Sequence, residues 1–346
     1  MDPEFNQNPI RLALIGAGIF ARDAHMPALL DLPDFFEIVA IYSRSQKSAM
    51  ALAASLPHEV PVYTDLLELL ANGNIEAVDV LLPIDVMPDV VTMALEAGKH
   101  VISEKPIAPT VSGGKALIEA YSSCASQVWM VAENYRYEEA FIRASELVSQ
   151  QLIGRPLICN WPLQIPMDSR NKYYHTRWRR SGNYPGGLLL DSGVHHVAAM
   201  RQVLGEIESV SAIKAQMRSD LAPADTLSAS LEFENGAIGS YSVTFASAEP
   251  HPTALHIAGE RGNLRDTLDK IELTVDGRTD TINLSGGKGV WAELKAFATA
   301  IRCGEEHRNP PHQALQDVAV FEAMLRSADI NHRVAPENCL TFSVSR

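Results

Sequence analysis

Cysteine is scarce in this sequence, and its placement excludes two kinds of site. The four cysteines, Cys124, Cys159, Cys303 and Cys339, lie far apart and form no Cys-x-x-Cys pair in 346 residues. The Cys and His ligands of a structural metal recur at short, fixed spacings, which are missing here. We therefore expect reduced thiols in a cytoplasmic protein, with no disulfide framework and no metal site.

Positive charge is also in short supply. The 29 Lys and Arg residues oppose 42 Asp and Glu residues, which leaves a net charge of −13 at pH 7. Because the phosphates of nucleic acids need a basic face on the protein, this balance argues against nucleic acid as a partner.

Long apolar runs are missing as well. No run approaches the roughly 20 residues that span a bilayer, and no charged segment followed by an apolar one indicates a secretory signal. The opening Met1–Phe5, MDPEF, is typical of a vector-derived linker, and we exclude it from the fold prediction. We expect a cytoplasmic protein without a membrane partner, and the length predicts two domains.

A short apolar run, Ile10–Ile15, ends at a glycine-rich turn and is followed by helix-forming residues. The turn reads GAGIFA over Gly16–Ala21 and matches the Gly-x-Gly-x-x-Gly/Ala pattern in the strand–turn–helix context that a dinucleotide site needs. Gly16 permits the tight turn, Gly18 lets a pyrophosphate approach the backbone, and the helix N-terminus favours the phosphates. The predicted cofactor contacts in this segment are Gly16, Gly18, Ile19 and Phe20.

The second predicted strand, Ile38–Tyr42, ends in Ser43 and Arg44, and no acid follows up to residue 47. An acid at this strand end would hydrogen-bond the two hydroxyls of the adenosine ribose and repel a 2′-phosphate. A guanidinium with neighbouring hydroxyls favours that phosphate instead, so Ser43 and Arg44 predict NADP as the cofactor, with NAD as the alternative. The competing interpretation is that these are solvated polar residues at the start of a helix.

Strand-like and helical segments alternate over the first 130 residues, which is typical of a parallel, doubly wound sheet. A helix over 137–151 leads into strand-like runs joined by hairpin signals, and helices are predicted over 188–204, 290–303 and 311–330. The predicted fold class is α/β, with a Rossmann domain at 9–133 and a C-terminal α+β domain at 134–346 that carries a large, open, mainly antiparallel sheet. Its strand-like runs lie at 156–165, 207–216, 226–233, 237–245, 253–258, 271–275 and 279–283.

The segment Gly186–His196, GGLLLDSGVHH, places Asp191 and His195 four residues apart. On a helix these two residues share one face, so a carboxylate and an imidazole can share a hydrogen bond and act on one substrate hydroxyl. The simpler interpretation is that Asp191 caps the helix and His195 is a satisfied polar residue near the core. The rest of the chain favours the catalytic interpretation.

Two further segments supply candidate site residues. Lys105 stands between Glu104 and Pro106, just past the fifth predicted strand, and ligands of such sheets gather at the carboxyl ends of the strands. A loop over 167–180 is rich in basic and aromatic residues and could clamp an anionic or sugar-like substrate, face the solvent or contact a second subunit. Its members include Tyr173, Tyr174, Trp178 and Arg179.

The glycine turn, the EKP tripeptide at 104–106 and the GGLLLDSGVH segment together resemble the glucose–fructose oxidoreductase / inositol dehydrogenase family, also written Gfo/Idh/MocA. The likeness covers nearly the whole chain, from Arg11 to about Ala328. It implies a Rossmann domain, a second domain whose open sheet pairs subunits into a homodimer or homotetramer, and a nicotinamide cofactor. The implied function is an NAD(P)-dependent oxidoreductase that transfers a hydride to or from a sugar, polyol or related hydroxy or keto compound.

The resemblance also implies roles for particular residues. The family's lysine matches Lys105, often with a cis bond to Pro106, and its aspartate and histidine match Asp191 and His195. His195 is expected to take the hydroxyl proton, Asp191 to hydrogen-bond the same hydroxyl, and Lys105 to stand beside the developing alkoxide. Lys105 is also a predicted contact of the cofactor, and Asp191 and His195 are predicted contacts of the substrate. The other predicted contacts are Leu82, Pro83 and Glu104 with the cofactor, and Tyr135, Arg136, Trp178 and Arg179 with the substrate.

The chain departs from the family at one place. After the fourth strand many members carry a Thr-Pro-Asn-like sequence, where this chain reads LPID over 82–85. Two alternative functions stay open: a dinucleotide-sensing regulator without catalysis, and an enzyme that holds its cofactor tightly for epimerisation or glycoside cleavage. The presence of Lys105, Asp191 and His195 together argues against a sensor, because a sensor needs no proton-transfer groups.

Overall fold

A parallel sheet forms the first half of the molecule. The structure is a computed structural model that describes residues 8–124 and 126–342, so the Met1–Phe5 linker interpretation lies outside the described residues. The strands are β1 (Ile10–Ile15), β2 (Phe36–Tyr42), β3 (Val62–Tyr63), β4 (Ala77–Val80), β5 (His100–Glu104) and β6 (Trp129–Ala132). Their order, β3-β2-β1-β4-β5-β6 with all pairs parallel, confirms the predicted Rossmann sheet.

Helices connect the strands of this sheet. Residues 19–30 are helical directly after the glycine turn, with a π-helical stretch at Ala21–His25 followed by α1 (Met26–Leu30). The others are α2 (Gln46–Ala53), α3 (Leu66–Leu70), α4 (Met87–Glu96) and α5 (Val111–Ser122). Asp65 caps α3, because its side chain accepts hydrogen bonds from the backbone N–H groups of Leu67 and Glu68.

The second half contains an eight-stranded sheet. Its strands are β7 (Pro156–Gln164), β8 (Ile207–Ala215), β9 (Thr226–Phe233), β10 (Ile238–Thr244), β11 (Leu255–Gly259), β12 (Gly262–Asp266), β13 (Lys270–Val275) and β14 (Arg278–Asn283). The order is β14-β13-β12-β11-β7-β10-β9-β8, and every pair is antiparallel except β7–β10. The prediction of a large, mainly antiparallel sheet is therefore confirmed.

The structure adds one strand to the predicted elements and shortens one predicted helix. Strand β12 was not predicted, because its sequence GNLRD has only one apolar side chain, and its strand character comes from pairing with β11 and β13. The predicted helix over 137–151 is confirmed as α6 (Glu139–Ser149), two residues shorter at each end, and a separate 3-10 turn over Asn134–Tyr137 precedes it. Glu138 separates them in an extended conformation, and its carboxylate accepts a hydrogen bond from the backbone N–H of Gly289.

The last helices pack across both halves. The remaining helices are α7 (Arg177–Arg180), α8 (Gly187–Leu204), α9 (Gly289–Cys303) and α10 (Pro311–Ile330). Helix α9 returns to the first sheet, where Leu294 and Phe297 are fully buried and the ring of Phe297 stacks on that of Phe36 at 6.4 Å. Helix α10 packs on α8, α5 and β8, so it joins the two sheets into one apolar core. None of the helices in residues 8–124 and 126–342 combines the length and apolar character that crossing a membrane takes.

Candidate active site

A cavity of about 680 Å³ lies between the two halves. Its walls come from the glycine turn, the carboxyl ends of β2 and β5, the segment 165–179 and the first turns of α8. The predicted site residues that line it are Gly16, Gly18, Ile19, Phe20, Ser43, Arg44, Leu82, Pro83, Glu104, Lys105, Trp178, Arg179, Asp191 and His195. The fold therefore brings segments that are far apart in the sequence to one cleft.

The two glycines of the turn have different reasons to be glycine. Gly16 has φ +118°, and a Cβ there would lie 2.4 Å from the carbonyl oxygen of Leu81. Gly18 needs no such backbone conformation, and a Cβ there would meet no protein atom within 4 Å. Gly16 is thus required by the turn itself, whereas Gly18 leaves room inside the cavity for a group that approaches the backbone.

Hydroxyls and one guanidinium surround the carboxyl end of β2. Ser43, Arg44 and Ser48 line the cavity there. The Ser45 hydroxyl accepts a hydrogen bond from the backbone N–H of Ser48 and so caps α2. Arg44 is exposed and makes no ion pair with any residue in the described part of the chain. Its charge is therefore available to a ligand.

Lys105 and Arg179 meet at the carboxylate of Asp191. Lys105 Nζ donates to the backbone oxygen of Asp191 at 2.7 Å and to Oδ1 at 3.0 Å, while Arg179 Nε donates to Oδ2 at 2.8 Å. The bond between Lys105 and Pro106 is cis. This arrangement fixes two positive groups at the cavity wall around one buried negative group.

Burial alone would raise the pKa of the Asp191 carboxyl, but the charges of Lys105 and Arg179 outweigh it. The pKa of Asp191 is therefore held well below its usual value, and the group is ionised at neutral pH. The interpretation of Asp191 as a helix cap is wrong, because Gly186 precedes the first turn of α8 and Asp191 lies inside the helix.

The motif residues of α8 point in two directions. Asp191 and His195 line the cavity. Gly193 lies between them on the opposite side of the helix, where a Cβ would come within 1.9 Å of the Phe321 ring of α10. The glycine lets α8 approach α10 closely, and this packing holds the polar face of α8 against the cavity.

His195 is hydrogen-bonded to Glu133, a residue that the sequence analysis did not identify. Its Nδ1 lies 2.5 Å from Oε1 of Glu133, and the ring stacks on Tyr135 with a centroid distance of 4.7 Å. Asp191 and His195 do not form the hydrogen bond that their shared helix face would allow, since Asp191 pairs with Lys105 and Arg179 and His195 pairs with Glu133. Glu133 directly follows β6, and its position at a strand end is the one feature by which the sequence could have indicated a site residue. Nothing in the sequence indicates that it pairs with His195, which is 62 residues away.

Arg136 is not where the sequence prediction put it. The predicted substrate contact is buried and pairs with Asp317, with Nη2 at 2.9 Å and 2.8 Å from the two carboxylate oxygens. This ion pair joins the turn after β6 to α10 and lies outside the cavity wall. Tyr135 does not line the cavity either, and its ring stacks on that of His195.

Some residues of the loop over 167–180 line the cavity and others face the solvent, which are two of the three environments that the sequence analysis left open. Tyr173, Trp178 and Arg179 line the cavity, and the guanidinium of Arg179 lies 4.0 Å from the ring of Trp178 and 4.8 Å from that of Tyr173. Other members, such as Lys172 and Arg177, are exposed. The sequence analysis singled out none of the other wall residues of this region, which are Ile165, Asn171, Thr176, Leu188, Ser192 and Phe245.

A cleft that connects a phosphate-accommodating glycine turn with a lysine and a histidine at its other end is typical of dinucleotide-dependent oxidoreductases built on the Rossmann fold. The sequence comparisons agree with this class. Residues 10–132 match a family described as an oxidoreductase family with an NAD-binding Rossmann fold, and residues 141–265 match the GFO/IDH/MocA C-terminal domain. The chain belongs to the Gfo/Idh/MocA oxidoreductase family, as its motifs predict.

Relatives align along most of their length. Dehydrogenase FPY6 of Fusarium mangiferae is 33% identical over 338 residues, which cover 92% of this chain and 96% of that protein. A D-xylose 1-dehydrogenase (NADP(+)) of Haloferax volcanii is 28% identical over 85% of this chain and 90% of that protein. The crystal structure of an oxidoreductase from Thermotoga maritima superposes with a TM-score of 0.89 at 36% identity, covering 97% of this chain and 100% of that one.

Proposed function

We propose that the protein oxidises a carbon-bound hydroxyl of a sugar, polyol or related hydroxy compound, and reduces the matching carbonyl in the reverse direction. The observation that supports this most directly is the position of Lys105 and His195 in the same cavity as Gly18. One end of that cavity suits the phosphates of a dinucleotide and the other offers a base and a cation. The dehydrogenase names of the relatives, one of them a D-xylose dehydrogenase, agree with this reaction class.

The residues present fit a nicotinamide dinucleotide. Gly18 leaves the backbone open to a pyrophosphate, and the helical residues 19–30 begin directly after it. When bound, the nicotinamide supplies the acceptor or donor of a hydride. The polar wall at Ser43, Arg44 and Ser48 favours NADP over NAD, because it offers a cation and hydroxyls to a 2′-phosphate and no carboxylate to repel it.

His195, Lys105 and Asp191 have different roles toward the substrate. His195, with Nδ1 occupied by Glu133, has Nε2 left to take the hydroxyl proton. Lys105 stabilises negative charge that develops on the substrate oxygen. Asp191 has both carboxylate oxygens engaged by Lys105 and Arg179, so its role is to hold these two cations in place.

The reaction is tested by following NADPH absorbance while D-xylose, D-glucose, xylitol and myo-inositol are supplied with NADP⁺. We expect oxidation of at least one of these compounds, and a loss of kcat of about 10²-fold or more in His195→Ala and in Lys105→Ala. The affinity of both variants for NADPH should stay within about twofold of the wild type, since neither residue holds the phosphates. Turnover at the wild-type rate in either variant would remove that residue from the mechanism.

Cofactor exchange separates this reaction from its rival, an enzyme that holds its cofactor tightly for epimerisation or glycoside cleavage. An ordinary dehydrogenase releases the dinucleotide after each turnover. Purified protein should therefore carry no bound dinucleotide and should reduce many equivalents of added NADP⁺. Copurified dinucleotide that does not exchange with the added pool would favour the rival.

We also propose that two or four copies assemble through the second sheet. The helices α8 and α10 cover one face of this sheet, and the other face carries exposed serines and the isoleucines Ile158 and Ile238, which are neighbours on β7 and β10. A flat face of small side chains with an apolar centre suits a second copy of itself. Light scattering of the purified protein measures the number of subunits.

A further inference from the structure

The imidazole of His195 is held on two sides. Its Nδ1 lies 2.5 Å from Glu133 Oε1, and the ring of Tyr135 stacks on it at an interplanar angle of 23°. The side chain of Glu133 is 2% exposed, whereas that of His195 is 18% exposed. The acid therefore lies behind the histidine, away from the cavity, and cannot itself reach a substrate.

The surroundings of Glu133 favour its ionised form, and this charge determines which nitrogen of His195 carries the hydrogen. Its Oε1 also accepts a hydrogen bond from the backbone N–H of Tyr135 at 3.1 Å. Burial would raise the pKa of Glu133, but the charge and hydrogen bond of His195, with the charge of Lys105, lower it. An ionised carboxylate only accepts hydrogen bonds, so the hydrogen of a neutral His195 ring must sit on Nδ1. The lone pair of Nε2 is then left for the cavity.

We propose that Glu133 is the positioning residue for proton transfer: it holds His195 in the Nδ1–H form and stabilises the imidazolium that forms when Nε2 takes the substrate proton. This inference rests on the proposed oxidation of a hydroxyl. In that step the O–H bond breaks and an Nε2–H bond forms, while the carbon-bound hydrogen leaves with its electron pair to the oxidised nicotinamide. Glu133 gains and loses no proton in the step.

The neighbouring histidine on α8 provides an internal comparison. Nδ1 of His196 lies 2.8 Å from the hydroxyl of Tyr241, and both side chains are buried in the core. Burial, with the charges of His195 and Lys105, lowers the pKa of His196 to about 3, so this ring is neutral. Both histidines thus have a hydrogen-bond partner at Nδ1, but only His195 has an acid there and only His195 lines the cavity.

The test compares Glu133→Gln with Tyr241→Phe, each of which alters the Nδ1 partner of one histidine. Gln keeps the size and an acceptor oxygen but loses the negative charge. With the best substrate of the sugar and polyol panel and NADP⁺, we expect Glu133→Gln to lower kcat by about 10²-fold with KM within about threefold. Tyr241→Phe should keep kcat within about twofold of the wild type. NADPH binding, followed by fluorescence, checks that each variant is folded.

A second measurement needs neither substrate nor dinucleotide. In ¹⁵N-histidine spectra, assigned by comparison with His195→Gln, the wild type should show His195 with its hydrogen on Nδ1. Glu133→Ala should show both tautomers. In a separate turnover assay with substrate and NADP⁺, added acetate should restore part of the kcat that Glu133→Ala loses.

Three results would overturn the assignment: an unchanged kcat in Glu133→Gln, an equal loss in Tyr241→Phe, or an Nε2–H tautomer in the wild type. A wild type that oxidises no compound of the panel would count against the proposed function, whereas the tautomer would still decide the role of Glu133.

Discussion

At the scale of single residues, the charged side chains of the cavity differ in whether they have a charged partner. Lys105 and Arg179 converge on Asp191, His195 is bonded to Glu133, and Arg44 has no acid of the described chain beside it. A paired cation is fixed in place, while an unpaired one at a cavity wall is available to an anion. This difference supports the proposal that the paired residues orient the reacting groups and that Arg44 binds the 2′-phosphate of the cofactor.

Arg44→Ala should change the preference between the two cofactors. A charge-assisted contact to the 2′-phosphate contributes about 1.5–3 kcal/mol, so NADPH affinity should fall roughly 10- to 100-fold while NADH affinity changes little. Fluorescence titration with each dinucleotide measures both constants. Lys47→Ala, which removes a nearby cation in the first turn of α2 that does not line the cavity, serves as the control. An equal effect on NADH and NADPH would show that Arg44 does not read the phosphate.

The two glycines of the turn should fail in different ways when replaced by alanine. Gly16→Ala forces a left-handed backbone and a 2.4 Å contact on Leu81, so it should destabilise the protein, by about 1–3 kcal/mol or more in urea unfolding. Gly18→Ala meets no protein atom and should leave unfolding unchanged while weakening NADPH binding. The opposite pattern would mean that Gly18 is a structural glycine and that the cofactor lies elsewhere.

At the scale of elements, the helical segment 19–30 is fastened to the sheet by a buried histidine. His25 Nδ1 lies 2.8 Å from Asp79 on β4, and its Nε2 lies 3.1 Å from Glu104 on β5. All three groups are buried or nearly so, and the buried Glu293 of α9 is the other acid beside them. The helical segment after the glycine turn is therefore tied to β4 and to the end of β5, which directly precedes Lys105.

His25→Asn should destabilise the protein in a pH-dependent way. Burial lowers the pKa of His25, but the charges of Asp79 and Glu104 outweigh it and raise the pKa well above the usual value. A raised pKa gives stability that is fully present below about pH 6.5 and is lost as pH rises through the folded-state value. Removing one partner of a buried pair costs about 3–5 kcal/mol, so the gap between wild type and variant should be widest near pH 6.

Urea unfolding at several pH values from 6 to 10 measures this gap, with the exposed His175→Asn as the control. A gap that widens as pH rises would contradict a charged His25 in the folded protein.

The sequence predicts local features better than long-range pairs. The strand–helix alternation and the glycine turn are visible because their physical signals lie within a few residues of each other. The ends of β2 and β5, which carry Arg44 and Lys105, could be placed at the cleft because parallel strands meet ligands at their carboxyl ends. Glu133 was missed because its partner lies on another element, and Arg136 was misplaced because its partner, Asp317, is 181 residues away.

At the scale of the whole molecule, the second half covers the cofactor region of the first. Lys172 Nζ lies 2.8 Å from Asp23 Oδ2, just after the glycine turn, in the same loop that places Tyr173 and Arg179 in the cavity. This ion pair connects the loop over 167–180 with the helical segment 19–30 across the cleft. Both side chains are partly exposed, so the contact is weakened by salt.

Lys172→Glu should speed the release of NADPH by roughly two- to fivefold, because the exposed pair becomes a repulsion. The exchange Lys172→Asp with Asp23→Lys should restore slow release, and high salt should reduce the difference between all three proteins. Stopped-flow fluorescence measures the rates. Equal release rates in the wild type and in Lys172→Glu would show that the loop opens independently of this pair.

The return of α9 to the first sheet affects the order in which the protein can be made. Leu294 and Phe297 belong to the same apolar cluster as β1 and α1, almost 300 residues earlier in the chain. During synthesis the nucleotide-binding half therefore emerges from the ribosome with one apolar surface exposed. Helix α9 can cover this surface only after most of the second half has been synthesised. Nascent chains that end near residue 133 should bind chaperones, and chains that extend past residue 303 should be released from them.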